Sequence, residues 1–131
     1  MKTIFKQLLT PKFKFRLKPN IKITIITPSF NVESTIKDTL HSVGFQTYKN
    51  IELIIVDDGS TDSSTHICEY YVNRDSRISL FRHAHAGIAS SLNLALSRAS
   101  GKYIARMDAD DISEPQRLES QLAYLLANPE L

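Results

Sequence analysis

The stretch that decides the fold is Ile51-Glu52-Leu53-Ile54-Ile55-Val56, which runs directly into Asp57-Asp58-Gly59-Ser60. A nearly unbroken run of apolar, largely β-branched residues is typical of a central strand in a parallel sheet that is covered on both faces. The polar residues after it suit a turn that leads into a helix. This stretch therefore predicts a strand–turn–helix unit within an α/β domain.

Strand-like and helix-like segments alternate around that unit. Strands are predicted over residues 21–26, 78–81 and 103–107, from alternating or β-branched apolar residues. The resulting order β-α-β-α-β-α-β-α implies a parallel, right-handed sheet with helices on both faces. The helical stripes that follow the strands are Ile36, Leu40 and Val43; Ile67, Cys68, Tyr70 and Tyr71; Ile88, Leu92, Ala95 and Ala99; and Leu118, Leu122 and Leu125.

Particular residues are expected to set the ends of these elements. Pro28 is expected to end the first strand, and Gly101 to close the third helix. The sequence Ser-Glu-Pro-Gln at 113–116 has the form of a capping box with proline in the first turn, which predicts that the last helix begins there.

Composition limits the class of protein. The 131 residues suit one domain, and 42% hydrophobic residues suffice for a core. A single cysteine, Cys68, excludes an internal disulfide framework, is compatible with a reducing compartment, and is expected to be packed. The isolated glycines form neither of the common Gly-rich phosphate loops, and no apolar run approaches the roughly 18 residues of a membrane-spanning helix.

The net charge of +2 hides an asymmetry. Residues 1–20 contribute +6 and no acid, so the rest of the chain sums to 2 − 6 = −4. Two interpretations stay open for this basic leader: a solvated, poorly ordered segment, or a weak peripheral contact with an anionic membrane. Its basic residues are Lys2, Lys6, Lys12, Lys14, Arg16 and Lys18.

Polar residues follow three of the predicted strands, at 28–33, 57–60 and 108–111. In parallel α/β sheets, ligands bind outside the carboxyl ends of the strands. Asp108, Asp110 and Asp111 could hold a divalent cation such as Mg²⁺ or Mn²⁺, or could form a solvated acidic turn. The pair Asp57-Asp58 could accept hydrogen bonds from a base or ribose, or cap a helix.

Three other features allow two interpretations each. Phe30, in a turn, could stack on a flat ring or simply pack against the protein. His83 and His85 could share a metal or belong to a polar loop. Arg106 could pair with the neighbouring acids or with a phosphate. A phosphohydrolase that uses the first Asp of a D-x-D-x-[TV] motif as nucleophile is disfavoured for two reasons. Ile112 stands where that motif needs Thr or Val, and the acids follow the fourth strand instead of the first.

Four blocks in the same order and spacing resemble family 2 glycosyltransferases of the GT-A fold. These blocks are Ile-Ile-Thr-Pro-Ser-Phe-Asn at 25–31, Gln-Thr-Tyr-Lys-Asn-Ile-Glu at 46–52, Val-Asp-Asp-Gly-Ser-Thr-Asp at 56–62, and the D-x-D block at 101–111. The resemblance covers about residues 21–131. It implies a Rossmann-like GT-A domain over that range, behind a leader at 1–20.

The resemblance also implies a site for a nucleotide-diphospho-sugar, with a UDP-sugar as the expected donor. Phe30 would lie against the base, and Pro28 and Glu33 would line the nucleotide. Asp58 would bind the edge of the base with Asp57 beside it. Asp108 and Asp110 would form the D-x-D pair, with Asp110 the more dependable ligand of Mn²⁺ or Mg²⁺.

By the same resemblance, the protein would transfer a sugar with inversion to a glycan or lipid-linked acceptor, in the synthesis of cell-surface polysaccharide or lipooligosaccharide. No nucleic-acid partner is expected, and the location would be cytoplasmic or at the inner face of the membrane. The family's acceptor part and its catalytic base follow the D-x-D block, so we expect the base beyond Leu131. The alternative is a catalytically incomplete fragment that binds nucleotide sugar and metal.

Two positions depart from the family's pattern. His85 stands where many relatives have Asn, two residues before Gly87. Leu92 stands where many have Arg, before Asn93. Both departures concern contacts with the diphosphate and do not affect the class.

Overall fold

The computed structural model of the protein describes residues 20–131. Four strands alternate with four helices, which confirms the predicted order. The strands are β1 (Ile23–Ser29), β2 (Ile51–Asp57), β3 (Ile78–Arg82) and β4 (Tyr103–Arg106), and the helices are α1 (Ile36–Gly44), α2 (Ser64–Val72), α3 (Ile88–Arg98) and α4 (Arg117–Ala127).

The four strands form one parallel sheet in the order β3-β2-β1-β4. β1 and β2 pair along their full length, from Ile23 opposite Ile51 to Ser29 opposite Asp57. Both strands therefore end at the same edge, which brings the segments after them together. The predicted α/β architecture is confirmed.

Side chains alternate between the two faces of the sheet, so β1, β2 and β3 each contribute to two apolar layers. Ile25, Leu53 and Ile55 pack in one cluster with residues of α1, α2 and α4. Ile26, Ile54 and Val56 pack on the other face with Ala95 and Leu92 of α3. Helices thus cover both faces, as a β2 strand that is apolar on both faces requires. Cys68 is fully buried, and burial raises the pKa of its thiol to about 12.

Pro28 does not end the first strand, because β1 continues to Ser29. The N–H of Ile23 and the carbonyl of Ser29 form hydrogen bonds with the chain on the β2 side of β1. Backbone groups alternate in direction along a strand, so those of Pro28 are directed toward β4. Ile26 accepts the last such bond from Met107, just past the end of β4 at Arg106. The N–H that Pro28 lacks would therefore face a position where no β4 residue is paired, and proline is tolerated.

The predicted capping box does not form. Helix α4 begins at Arg117, with Gln116 at the N-cap position and no capping hydrogen bond from a side chain. The hydroxyl of Ser113 instead contacts the sulfur of Met107 at 3.3 Å and accepts a hydrogen bond from Arg117. Ser113 is buried and its hydroxyl is used in these contacts, so it does not cap the N-terminus of α4.

Gly101 does not close α3, which ends at Arg98 with Ala99 as its C-cap. Its role is close approach: a Cβ at this position would lie 2.6 Å from both the backbone nitrogen and the hydroxyl of Thr24. The N–H of Gly101 donates to that hydroxyl at 2.8 Å. Glycine is needed here because the chain passes directly over β1.

We expect Gly101→Ala to lower the free energy of unfolding by about 2 kcal/mol, because the added methyl overlaps backbone that cannot move freely. Urea denaturation monitored by circular dichroism would measure the loss. Gly44→Ala is the matched control, since a Cβ there meets nothing within 4 Å. An equal effect of the two substitutions would contradict the close-approach explanation.

The basic leader predicted at 1–20 falls, apart from Asn20, outside the described residues. Within residues 20–131, no helix is long and apolar enough to cross a bilayer.

Candidate functional site

A cavity of about 320 Å³ opens at the carboxyl edge of the sheet. Four segments supply its walls: the end of β1 and the loop after it, the β2–α2 turn, the β3–α3 loop with the start of α3, and the turn after β4. Three of these segments are those that the sequence predicts at the carboxyl ends of strands, and the β3–α3 loop contains His85, one of the two positions that depart from the family's pattern. The lining residues are Pro28, Ser29, Phe30, Val32, Asp58, His85, Gly87, Ile88, Ser91, Asp108, Ala109 and Asp110.

The structure brings together five of the predicted site residues in this lining: Pro28, Phe30, Asp58, Asp108 and Asp110. The other two, Glu33 and Asp57, are not among the lining residues. Their contact with a nucleotide stays a prediction, and both have clear roles in building the loops.

Asp57 is fully buried beneath the turn. Its carboxylate accepts hydrogen bonds from the Ser60 N–H at 3.1 Å and the Thr65 hydroxyl at 2.6 Å. Arg82 at the end of β3 completes the set, with its Nε 3.2 Å from Asp57 and its guanidinium donating to the carbonyl of Ser60. Asp57 therefore fixes the start of the turn and ties it to the neighbouring strand. No sequence signal singled out Arg82.

Glu33 is exposed and joins the loop after β1 to the start of α2. Its carboxylate accepts the Ser63 N–H at 2.9 Å, and its own N–H donates to Asp62 at 3.2 Å. Such an acid near the first turn of a helix satisfies N–H groups that have no intrahelical partner.

Asn31 adds a second link between these loops. It adopts a positive φ of 48°, a conformation that Asn tolerates better than most residues. Its side-chain oxygen accepts the Thr61 N–H at 2.9 Å, and its N–H donates to Ser60 at 3.0 Å. These bonds join the loop after β1 to the turn after β2, the two segments that carry the lining residues Phe30, Val32 and Asp58.

Asp58 is buried and organises the β3–α3 loop. Its two carboxylate oxygens accept the backbone N–H of Ala86 at 2.8 Å and of Gly87 at 3.1 Å. His85 Nδ1 lies 2.8 Å from one oxygen and His83 Nε2 lies 3.3 Å from the other. Burial alone would raise the pKa of Asp58, but these hydrogen bonds and the two imidazoles outweigh it and lower the pKa.

The two histidines therefore belong to a polar loop around an acid. Among residues 20–131, the group of side chains spaced to hold a metal is Asp108, Asp110 and Asp111, and neither histidine joins it. His83 also lies 3.0 Å from the hydroxyl of Ser91, a buried residue of α3 that lines the cavity.

Phe30 projects into the cavity with 42% of its surface exposed. The ring of His85 stacks on it, with centroids 4.3 Å apart and planes inclined by 28°. Packing within the protein leaves Phe30 partly exposed at the cavity, so its contact with a base stays a prediction.

The acidic turn after β4 offers one carboxylate oxygen from each of Asp108, Asp110 and Asp111, all within 4.8 Å of one another. Asp108 pairs with Arg106, whose Nε lies 3.1 Å away, and Asp110 is exposed at the cavity. The carbonyl of Ala109, between them, accepts hydrogen bonds from Thr35 and Thr39 and so fixes the turn against α1. Oxygen ligands this close suit a hard divalent cation such as Mg²⁺ or Mn²⁺.

A doubly covered parallel sheet with an acidic turn at its carboxyl edge defines a Rossmann-like domain of the GT-A kind. The chain belongs to glycosyl transferase family 2, whose sequence model matches residues 24–131. That match confirms the resemblance seen in the four sequence blocks.

Two curated relatives and one solved structure illustrate the similarity. The glycosyltransferase GlyA of Streptococcus pneumoniae is 41% identical over 99 residues, covering 76% of this chain and 14% of GlyA. The Escherichia coli protein WfgD is named as a UDP-Glc:alpha-D-GlcNAc-diphosphoundecaprenol beta-1,3-glucosyltransferase. It is 43% identical over 108 residues, which cover 81% of this chain and 42% of WfgD. The crystal structure of S. aureus TarS 1-349 with UDP-GlcNAc superimposes with a TM-score of 0.78 at 27% identity. The match covers 83% of this chain and 32% of the TarS chain. This chain therefore spans less than half the length of each.

Proposed function

We propose that this chain forms the donor-binding part of a glycosyltransferase that takes a sugar from a nucleotide-diphospho-sugar. The observation that carries the proposal is the cavity itself, which combines an exposed aromatic ring, a buried acid and an acidic turn at one sheet edge. Family membership supports the reaction class, and the UDP-GlcNAc bound to TarS supports a UDP-sugar as donor.

Within this proposal, the base lies against Phe30 with its edge toward Asp58, and the diphosphate lies toward the acidic turn. Phe30 supplies a flat apolar face, and the start of α3 at Gly87 and Ile88 adds a positive helix end beside it. This pose assigns the base to the aromatic part of the lining and the diphosphate to its acidic part.

Asp110 and Asp108 would hold the divalent cation, with Asp111 close enough to assist. When bound, such a cation stabilises negative charge on a departing diphosphate as a Lewis acid. The protein's own contribution is to place these oxygens on a turn that Thr35 and Thr39 hold rigidly against α1. Arg106 supplies a positive charge that partly neutralises Asp108.

We also propose that the sugar passes with inversion to a glycan or lipid-linked acceptor, in the synthesis of cell-surface polysaccharide or lipooligosaccharide. The lipid-linked acceptor in the name of WfgD supports this choice. Direct inversion needs a base for the acceptor hydroxyl. Each acid that lines the described cavity has another role in this proposal, since Asp58 anchors a loop and Asp108 and Asp110 would be the cation ligands.

Because this proposal leaves no lining acid for the acceptor hydroxyl, there is a second candidate: the chain binds nucleotide sugar and metal without transferring the sugar. Isothermal titration with UDP and Mn²⁺, together with a donor-hydrolysis assay, separates the two. Binding with release of free sugar supports the enzyme, and binding without turnover supports the binding fragment. Absence of binding would contradict both.

We expect Phe30→Ala to raise the dissociation constant for UDP in the presence of Mn²⁺ by about tenfold, because base–aromatic stacking contributes roughly 1–3 kcal/mol. Isothermal titration calorimetry measures the change. Phe45→Ala is the matched control, since Phe45 is 62% exposed after α1 and does not line the cavity. An unchanged UDP affinity in Phe30→Ala would rule out Phe30 as the base platform.

A cytoplasmic location, with the basic segment 1–20 touching the inner face of the membrane, is proposed as well. The support is the charge of that segment and the single buried cysteine. Co-sedimentation with anionic and neutral vesicles tests it: binding to anionic vesicles alone is the expected result.

A further inference from the structure

The side chain of His85 stacks on Phe30 and hydrogen-bonds to Asp58, two residues that line the cavity. Its ring stacks on Phe30 with a centroid distance of 4.3 Å. Its Nδ1 lies 2.8 Å from a carboxylate oxygen of Asp58 and 3.2 Å from the Asp58 carbonyl, and both of those atoms are acceptors. Nδ1 therefore carries a hydrogen and donates it. Both partners of this ring line the cavity.

A nucleotide base in the proposed pose would make the same two contacts. It would lay a flat ring on Phe30 and direct a ring N–H at Asp58. Stacked aromatic centroids lie about 4.5–7 Å apart, so the 4.3 Å between His85 and Phe30 leaves no room for a third ring between them. A base that stacks on this face of Phe30 and bonds to Asp58 would therefore compete with the imidazole for both contacts.

We propose that His85 is an internal occupant of the base subsite, which the base of the donor must displace. This inference rests on the proposed function, since it takes Phe30 and Asp58 as the base-binding pair. It adds a residue that sets donor affinity: the contacts that His85 makes with Phe30 and Asp58 oppose those of the base.

The structure around His85 allows the exchange. Its side chain is 61% exposed, so solvent surrounds the ring on the open side of the cavity. Asp58 does not depend on the imidazole for its position, because the N–H groups of Ala86 and Gly87 hold one oxygen each. When the ring leaves, one acceptor position of Asp58 becomes free for the base while the carboxylate stays in place.

The test is the affinity of His85→Ala for UDP with Mn²⁺, measured by isothermal titration against the unmodified chain. Removing the occupant is expected to lower the dissociation constant by about fivefold or more, as expected when a competing conformation is eliminated. Inorganic pyrophosphate with Mn²⁺ has no base, so its affinity should not change. His66→Ala is the matched control, because this imidazole on α2 is 86% exposed and is not a lining residue.

A second measurement follows the ring directly. On saturation of the unmodified chain with UDP, the ring ¹⁵N and ¹H signals of His85 should move toward those of a solvated imidazole, while those of His66 stay fixed. His85→Asn, which keeps a polar side chain without the ring, should also bind UDP more tightly. Thermal unfolding of each variant shows that the fold is kept.

The outcomes distinguish failure of the proposed displacement of His85 from failure of the proposed function. UDP affinity that is equal or weaker in His85→Ala overturns the displacement and leaves the proposed function standing. Ring signals of His85 that stay stacked at UDP saturation overturn it as well. If neither protein binds UDP although pyrophosphate still binds, the base subsite is wrong, and the proposed function and this inference fall together.

Discussion

Asp110→Ala is expected to abolish metal-dependent UDP binding while the fold is kept. Asp110 is exposed on a turn, and its carboxylate lies with those of Asp108 and Asp111 within 4.8 Å. Unit charges about 4 Å apart interact by roughly 4 kcal/mol at an effective dielectric constant of 20, so losing one acid weakens divalent-cation binding on the order of 100-fold or more. Little packing is lost, because Asp110 makes no core contact.

Isothermal titration of UDP with Mn²⁺, repeated in EDTA, measures this effect. The unmodified chain should bind UDP far more tightly with Mn²⁺ than without it, and Asp110→Ala should show the weak, metal-independent value in both. Asp38→Ala, which removes an exposed acid on α1, controls for net charge. Urea unfolding in EDTA should give Asp110→Ala a stability equal to or slightly above that of the unmodified chain, because like-charge repulsion is relieved. Retention of Mn²⁺-dependent binding in Asp110→Ala would refute the metal assignment.

The architecture follows from short-range patterns in the sequence. Residues 51–56 are apolar on both sides of the strand, which requires cover on both faces, and the acids after β2 and β4 must reach the same edge of a parallel sheet. For these reasons the order of elements and the position of the cavity could be predicted. Asp58, Asp108 and Asp110 were located in the same way.

Element ends were predicted less well, because they depend on contacts between distant segments. Pro28 stays in β1 because β4 has already ended beside it, and Gly101 is needed because the chain passes over Thr24. Ser113 bonds with Met107 and Arg117 and leaves its helix uncapped. A local motif cannot reveal partners of this kind.

The roles of the acids in the β2–α2 turn were also hidden from the sequence. Asp57 and Asp58 are adjacent, yet one is directed into the core at Thr65 and the other toward a loop that begins 25 residues further on, at His83. Alternation along an extended chain sends neighbouring side chains in opposite directions, but only the fold brings the β3–α3 loop to Asp58. The sequence shows the His83-x-His85 pair but not the Asp58 carboxylate that both imidazoles face.

Asp58→Asn is expected to lower the free energy of unfolding by about 3 kcal/mol at pH 7, without any ligand. The carboxylate accepts the N–H groups of Ala86 and Gly87 and faces both imidazoles. An amide at this position turns an NH₂ group toward one of these N–H donors, which leaves that donor without its acceptor and removes the charge that both N–H groups bond to. Hydrogen bonds to a charged group contribute roughly 1.5–3 kcal/mol each, and removing one partner of a buried charged pair costs several kcal/mol.

The loss should depend on pH in a defined direction. Because the pKa of Asp58 is lowered in the folded chain, its contribution is complete above the ordinary carboxyl value of about 3.9 and fades as pH falls through the lower folded pKa. Urea unfolding at a series of pH values between 7 and 3 should therefore show the unmodified chain and Asp58→Asn converging in acid. Asp38→Asn, at an exposed site on α1, should have a free energy of unfolding within about 0.5 kcal/mol of that of the unmodified chain at pH 7. A deficit in Asp58→Asn that stays constant down to pH 3 would show that the lost stability comes from packing and not from the charge of Asp58.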